Sequence, residues 1–253
     1  MGIADRDYTK VDYEPRAAQS AVGTMHMWSV TTWLLVINIG MYILNNVLGT
    51  RMLVDRQTGA FVGYERFWEQ LFAFTVADGV YRVQVWRLIT FQFLHGNLAH
   101  ILFNMFALYM FGTLIEQYLG RRRYLAFYLL CGIGGAVMYV ILWALGFFGP
   151  GAQTARTPLV GASAGIFGLL VAAATIAPNA TVLLYGSIPM KLKTLAYVLL
   201  GVAVFTILGN WQNSGGEAAH LGGAVVGFFL IRKPELLNPV EVGIQRRPRI
   251  YRR

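Results

Sequence analysis

The chain has 253 residues, of which 56% are hydrophobic and only 13% are charged, and its formal net charge is +9. This composition lies outside the range of ordinary soluble domains and indicates a membrane protein. The positive charge does not indicate nucleic-acid binding, because the excess arginines and lysines lie in loops and the tail beside long apolar segments.

Long uncharged runs predict membrane-spanning helices, since a span needs about 20 apolar residues. Pro178 and Asn179 interrupt the fourth run and leave one helix from Gly161 to about Ala177. A shorter apolar run from Ala218 to Ile231 completes a count of six spans. The five longer runs are 28–48, 91–115, 124–148, 157–190 and 195–210.

We expect an all-α membrane protein with a six-helix bundle and a long first outer loop. Residues 1–27 form a cytoplasmic N-terminal segment without the features of a secretory signal peptide. Residues 28–231 form the membrane domain, and residues 232–253 form a basic cytoplasmic tail. The single cysteine, Cys131, allows no intrachain disulfide and is expected to be an inert buried thiol.

The distribution of basic residues predicts the orientation. Three arginines, Arg121 to Arg123, follow span two, Lys191 and Lys193 follow span four, and seven arginines and lysines follow span six. The positive-inside rule assigns these segments, and with them both termini, to the cytoplasm. The protein is expected to be a multi-pass protein of the plasma membrane or an inner membrane.

The first outer loop contains an aromatic-rich segment from Phe67 to Phe74, interrupted by Glu69. Aromatic side chains favour the level of the lipid head groups, so a short structure lying in the interface is one expectation. Ordinary packing within the loop is the other.

Polar residues stand at the start of each even-numbered span. His95, His100 and Asn104 open span two, Ser163 opens span four, and His220 opens span six. With a cytoplasmic N-terminus, even-numbered spans run inward, so all five residues lie within the outer turns. Polar groups in hydrocarbon are costly, so their shared depth indicates a functional site.

Small residues indicate close packing around this site. Ala219, Gly223 and Gly227 form a run that lets another helix backbone approach closely. Phe167 shares the face of Ser163, whereas a second small-residue stripe lies opposite and is expected to seat span four against a different neighbour. That stripe consists of Gly161, Gly165, Gly168 and Ala172. Glu116 lies too deep for the cluster and is expected to be a buried tie between helices.

The cluster has the groups needed for nucleophilic catalysis. Serine is a weak nucleophile until a base takes its proton, and His220 can be the base of Ser163. His100 and Asn104 can donate to a developing oxyanion. The three histidines leave a zinc site open as an alternative, but no carboxylate or cysteine joins them in the outer layer. No metal and no cofactor are therefore expected.

At these residues the chain resembles the rhomboid family of intramembrane serine proteases, over about residues 28–231. The likeness rests on four motifs in matching order and spacing. They are Trp86-Arg87 (WR), His95 with His100 and Asn104 (HxxxxHxxxN), Gly161 to Ser163 (GxSx), and His220 with Gly223 and Gly227 (AHxxGxxxG).

The resemblance implies a catalytic dyad of Ser163 and His220 without an acidic member. It also implies an oxyanion hole of His100, Asn104 and the Ser163 backbone N–H, with Phe167 packed on the catalytic imidazole. The implied partners are transmembrane protein substrates and the lipid bilayer.

Other interpretations stay open. A catalytically silent rhomboid-like protein would bind transmembrane helices without cleaving them. A small transporter or channel lined by the polar cluster is disfavoured by the lack of outer acidic residues and of an inverted repeat. The family often has glycine after the serine, and Ala164 is a small departure that bears on backbone flexibility.

Overall fold

The structure is a computed structural model that describes residues 28–238, except residues 56, 149–153, 185–186 and 212. The predicted N-terminal segment 1–27 and the arginines of the predicted tail beyond residue 238 lie outside the described residues. The α-helices and β-strands of these residues, in chain order, are α1 Val30–Ile43, β1 Thr50–Val54, β2 Phe61–Arg66, α2 Phe67–Phe72, α3 Arg87–Thr90, α4 Leu98–Leu119, α5 Arg121–Ala144, α6 Ser163–Ile176, β3 Thr181–Leu184, β4 Ile188–Lys191, α7 Leu192–Leu208 and α8 Ser214–Arg232.

Three of the described helices, α4, α5 and α8, are long and apolar enough to cross a membrane. Helices α1, α6 and α7 are apolar but shorter. Helix α6 has 14 residues and is therefore about 21 Å long. A bilayer has a hydrocarbon core of about 30 Å, so an upright helix of this length has at least one end inside it.

Large apolar side chains remain exposed on the outer faces of the apolar helices. Phe103 and Phe106 on α4, Val202 and Phe205 on α7, and Phe229 on α8 are each more than half exposed. Apolar patches of this extent are unfavourable in water, whereas lipid covers them without that cost. Their distribution is that of an integral membrane protein.

The prediction that the second small-residue stripe seats the fourth apolar helix against a different neighbour is confirmed for Gly165. Gly168 contacts that neighbour and also α8, since a Cβ on Gly168 would lie 3.1 Å from the Gly223 carbonyl oxygen. A Cβ added to Gly165 would lie 2.7 Å from Cε2 of Tyr128, and one on Gly168 would lie 2.7 Å from Cβ of Cys131. Both neighbours belong to α5, so the missing side chains let α6 and α5 pack closely. Cys131 is buried, as predicted.

Glu116 is buried and links two helices, as the sequence predicts. Its carboxylate accepts hydrogen bonds from the backbone N–H of Val30 at 2.7 Å and of Thr31 at 2.8 Å, and from the Thr31 hydroxyl at 2.8 Å. The first N–H groups of a helix have no intrahelical acceptor. The side chain therefore fixes the start of α1 against the end of α4.

The prediction of an all-α fold misses two short hairpins. Strands β1 and β2 pair antiparallel in the first loop, and β3 and β4 pair antiparallel between α6 and α7. The first loop also joins the segment before α6, since Leu159 and Phe74 exchange backbone hydrogen bonds of 2.7 and 3.1 Å. Phe74 is buried, whereas Phe67 and Leu71 of α2 are exposed. Location of α2 in the membrane interface remains a prediction.

Candidate active site

A cavity of about 390 Å³ brings together polar residues that lie far apart in the sequence. It lies between the starts of α4, α6 and α8. Its lining includes six predicted residues, namely His100, Asn104, Gly161, Ser163, Phe167 and His220. Asn97 and Asn213 also line it, although they are not among the predicted site residues.

Ser163 is the first residue of α6. At this position its backbone N–H has no intrahelical acceptor and is available to another group. The preceding turn requires glycine, because Gly161 has a φ of 130° and a Cβ there would lie 2.8 Å from Nε2 of His100. The Gly161 N–H donates to the Phe91 carbonyl at 3.0 Å, which fixes the turn.

The small-residue run of α8 brings the helix backbones of α6 and α8 into contact. A Cβ added to Gly223 would collide with the carbonyl of Ala164 and lie 2.7 Å from its carbonyl carbon. One added to Gly227 would lie 2.6 Å from Cα of Gly168. Because Gly223 is one turn after His220 and Ala164 adjoins Ser163, this contact brings the helix turns that carry the serine and the imidazole close together.

His220 is held on two sides. The Phe167 ring stacks on the imidazole with a centroid separation of 4.1 Å and an interplanar angle of 7°. Nδ1 of His220 lies 2.8 Å from Oε2 of Glu217. The expectation that no carboxylate joins the cluster is therefore wrong. The predicted sixth span begins at Ala218, whereas α8 begins at Ser214 and places Glu217 one turn before His220.

Asn104 is held by His95, which precedes α4 and is buried. The amide Nδ2 of Asn104 lies 2.9 Å from Nε2 of His95. Asn97 is the N-cap of α4 and accepts a hydrogen bond of 2.8 Å from the His100 backbone N–H. The first turn of α4 is therefore fixed both by its cap and by the imidazole that orients the amide.

Ala164, the departure from the family pattern, fits a gap on α5. A Cβ added to Gly135 would lie 2.6 Å from the Ala164 methyl and 2.8 Å from the carbonyl oxygen of Ala219. The absence of a side chain at Gly135 therefore leaves room for the methyl group. Ala164 is 1% exposed.

Trp86 and Arg87 do not line the cavity around Ser163. The Arg87 guanidinium donates to the backbone carbonyls of Ala73 and Gln70, the latter at 2.8 Å. Burial lowers the pKa of Arg87, and the carboxylate of Asp78 at 3.9 Å opposes that shift. Arg87 therefore connects parts of the first loop to one another and does not contribute to the cavity.

The described part of the chain contains no candidate metal site. No group of three or more His, Cys, Asp and Glu side chains there is arranged to hold a metal ion. The zinc alternative consequently has no support among these residues.

The rhomboid domain family matches residues 82–233, which is more than half of the chain. The protein belongs to the rhomboid family. It is 34% identical over 184 residues to the RHOMBOID-like protein 12, mitochondrial, of Arabidopsis thaliana, covering 69% of this chain and 54% of that protein. It is 33% identical over 144 residues to the Rhomboid protease GluP of Bacillus subtilis, covering 57% and 25%. It is 30% identical over 154 residues to the Rhomboid protease AarA of Providencia stuartii, covering 57% and 54%.

The chain therefore spans a quarter to about half of the length of these relatives. GluP and AarA are named as proteases, whereas the Arabidopsis protein is named only as rhomboid-like. Membership of the family alone therefore does not assign an activity to this chain.

Proposed function

We propose that the protein is an intramembrane serine endopeptidase that cleaves transmembrane segments of other membrane proteins. The observation that carries this proposal is the single cavity lined by Ser163, His220, His100 and Asn104. The cavity combines a nucleophile, a base and two oxyanion donors. It lies at the start of α6, which is too short to cross the hydrocarbon core upright.

In the proposed reaction, His220 takes the hydroxyl proton of Ser163 while the serine oxygen attacks the substrate carbonyl carbon. The imidazole then gives that proton to the leaving amide nitrogen as the carbon–nitrogen bond breaks. Water enters the cavity, loses a proton to His220 and attacks the acyl ester. As the ester carbon–oxygen bond breaks, His220 returns that proton to the Ser163 oxygen, which releases the carboxyl product and restores the serine hydroxyl. Phe167, stacked on the ring, keeps the imidazole in one plane.

The proposed oxyanion hole consists of the Ser163 backbone N–H and the side chains of His100 and Asn104. The N-terminus of α6 favours negative charge at this point, because its free N–H groups and its dipole face the developing oxyanion. His95 is a supporting residue in this proposal, since its bond to Asn104 limits rotation of the amide.

The proposed substrate class follows from a second cavity that also includes Ser163. This cavity of about 410 Å³ lies between α4, α6 and α7 and is lined mostly by apolar side chains. Val182 and Leu183 of the β3–β4 hairpin and Phe103 of α4 belong to it. A segment that reaches Ser163 through this cavity meets an apolar lining, which favours an apolar transmembrane stretch over a soluble peptide.

Reaction with a fluorophosphonate tests the proposal directly. The purified protein in detergent is expected to be labelled covalently, and Ser163→Ala is expected to abolish labelling. Cleavage of a single-span membrane protein in liposomes provides the second measurement. Absence of both reactions from a folded protein would favour a catalytically silent protein that binds transmembrane helices, or a transporter.

We expect a graded loss of activity from the proposed oxyanion hole. Removal of one preorganised donor typically lowers turnover by about 10² to 10³-fold. Asn104→Ala should therefore lower kcat by this factor while the serine remains in place. Measured kcat alongside thermal stability separates catalysis from folding, because Asn104 also holds His95. Unchanged kcat and unchanged stability would remove Asn104 from the hole.

We also propose that both termini are cytoplasmic, since basic residues at the starts of α5 and α7 and the end of α8 share one side in a six-span arrangement. In a Cys131→Ala background, cysteines at Gln153 or Gln212 should react with an impermeant thiol reagent added outside intact cells. Both positions lie outside the described residues. Cysteines at Asn179 or Asn238 should react only after the membrane is opened. Opposite accessibility of Gln153 and Gln212 would contradict this topology.

A further inference from the structure

The base of the proposed dyad has an acidic partner in this chain. We propose that Glu217 is a positioning residue that orients His220, so that catalysis uses a Ser163–His220–Glu217 triad. This inference rests on the proposed function, because it concerns how the proposed base is held.

The contact between the two side chains is short and sheltered. Nδ1 of His220 lies 2.8 Å from Oε2 of Glu217, and their side chains are only 14% and 15% exposed. The other carboxylate oxygen, Oε1, accepts a hydrogen bond of 3.2 Å from Nδ2 of Asn213. Both oxygens are thus engaged, which limits rotation of the carboxylate.

This arrangement determines which imidazole nitrogen is free. A hydrogen bond from Nδ1–H to the carboxylate leaves Nε2 as the acceptor for the Ser163 proton. Phe167 fixes the plane of the ring, and Glu217 fixes its rotation within that plane. The two contacts together define one tautomer and one orientation.

The carboxylate also acts at the charged stage of the reaction. When His220 takes the serine proton, the ring becomes positively charged while the oxyanion forms. A carboxylate at hydrogen-bond distance, in a site largely shielded from water, stabilises that imidazolium. No proton needs to pass to Glu217, since the carboxylate acts by charge and by its hydrogen bond.

Glu217 also has a simpler possible role, because it lies in the first turn of α8. An acidic residue there interacts favourably with the helix dipole and stabilises the fold without affecting catalysis. The two roles differ in what they change. A dipole contact alters thermal stability alone, whereas orientation of His220 alters kcat and the reactivity of Ser163.

Glu217→Gln is the discriminating variant, since the amide has the same shape and keeps an oxygen for Asn213. We expect kcat for a transmembrane substrate in liposomes to fall about 10- to 100-fold with KM unchanged, because a hydrogen bond to a charged group is lost. The rate of fluorophosphonate labelling, which requires no transmembrane substrate, should fall by a similar factor. Glu217→Asp, which keeps the charge, should recover part of both rates.

Glu69→Gln is the matched control, because Glu69 is also a first-turn acid, in α2, and pairs with Arg66 at 3.2 Å. It should leave kcat and labelling unchanged. Glu217→Gln with wild-type kcat, or with lower thermal stability only, would overturn the triad and leave the dyad intact. A wild-type protein that neither cleaves nor reacts with the probe would overturn the proposed function and the triad together.

Discussion

Ser163→Ala and His220→Ala are each expected to remove detectable proteolysis while the protein remains folded and inserted in the membrane. Loss of a nucleophile or its base in serine proteases lowers turnover by roughly 10⁴ to 10⁶-fold. Neither side chain is fully buried, so both variants should fold, and Ser163→Ala should change thermal stability little. His220→Ala also removes the stack on Phe167 and the partner of the Glu217 carboxylate, so its melting temperature should fall. The measurement is cleavage of a single-span substrate in liposomes, with the melting temperature recorded for each variant.

Ser29→Ala is the matched control for the serine. Ser29 caps α1, where its hydroxyl oxygen accepts from the Thr32 backbone N–H at 3.0 Å, far along the chain from the cavity. Loss of such a cap costs about 1 kcal/mol of stability, and cleavage should persist. Near-normal cleavage by either Ser163→Ala or His220→Ala would refute the proposed dyad.

The residues that meet in the cavity could be found from the sequence because they obey helical rules. Each candidate lies at the start of an apolar run, and the positive-inside rule predicts that these starts lie on one side of the membrane. Gly223 and Gly227 repeat at a spacing of four, which predicts one face and a close neighbour. The contact of that face with Ala164 and Gly168 agrees with this spacing.

Glu217 was missed because helix boundaries are the least certain part of a sequence interpretation. The apolar pattern of the sixth span starts after Glu217, yet α8 continues through polar residues to Ser214. A rule that tests positions three and four before a candidate base would have found it. Asn97 carried a similar signal, since asparagine before an apolar run is a common N-cap.

Other contacts depend on the path of the backbone and had no local signal. The bond between His95 and Asn104 requires the chain before α4 to fold back over its first turns. The β3–β4 hairpin lies in a segment predicted to be loop, and its strands are only four residues long. Such features are fixed by tertiary packing rather than by propensity.

The close approach of α6 and α8 leaves no room for a side chain at Gly223. A methyl group at position 223 would collide with the backbone carbonyl of Ala164. Backbone atoms of a packed helix cannot turn aside as a flexible side chain can, so the helices must separate. Overpacking of this kind typically costs about 1 to 3 kcal/mol, and a backbone clash places Gly223→Ala near the upper end.

Separation of α6 and α8 also moves His220 away from Ser163. A misplacement of about 1 Å can lower catalysis by about 10²-fold, so Gly223→Ala should lose activity even at temperatures where it remains folded.

Gly201→Ala on α7 is the matched control for Gly223→Ala, because a Cβ at position 201 meets no atom within 4 Å. Alanine in an open helical position should be neutral or stabilising by about 0.5 to 1 kcal/mol. Thermal unfolding and cleavage rates of the two variants, measured in the same detergent, provide the comparison. If Gly223→Ala matched Gly201→Ala in both, the α6–α8 contact would not set the distance between serine and imidazole.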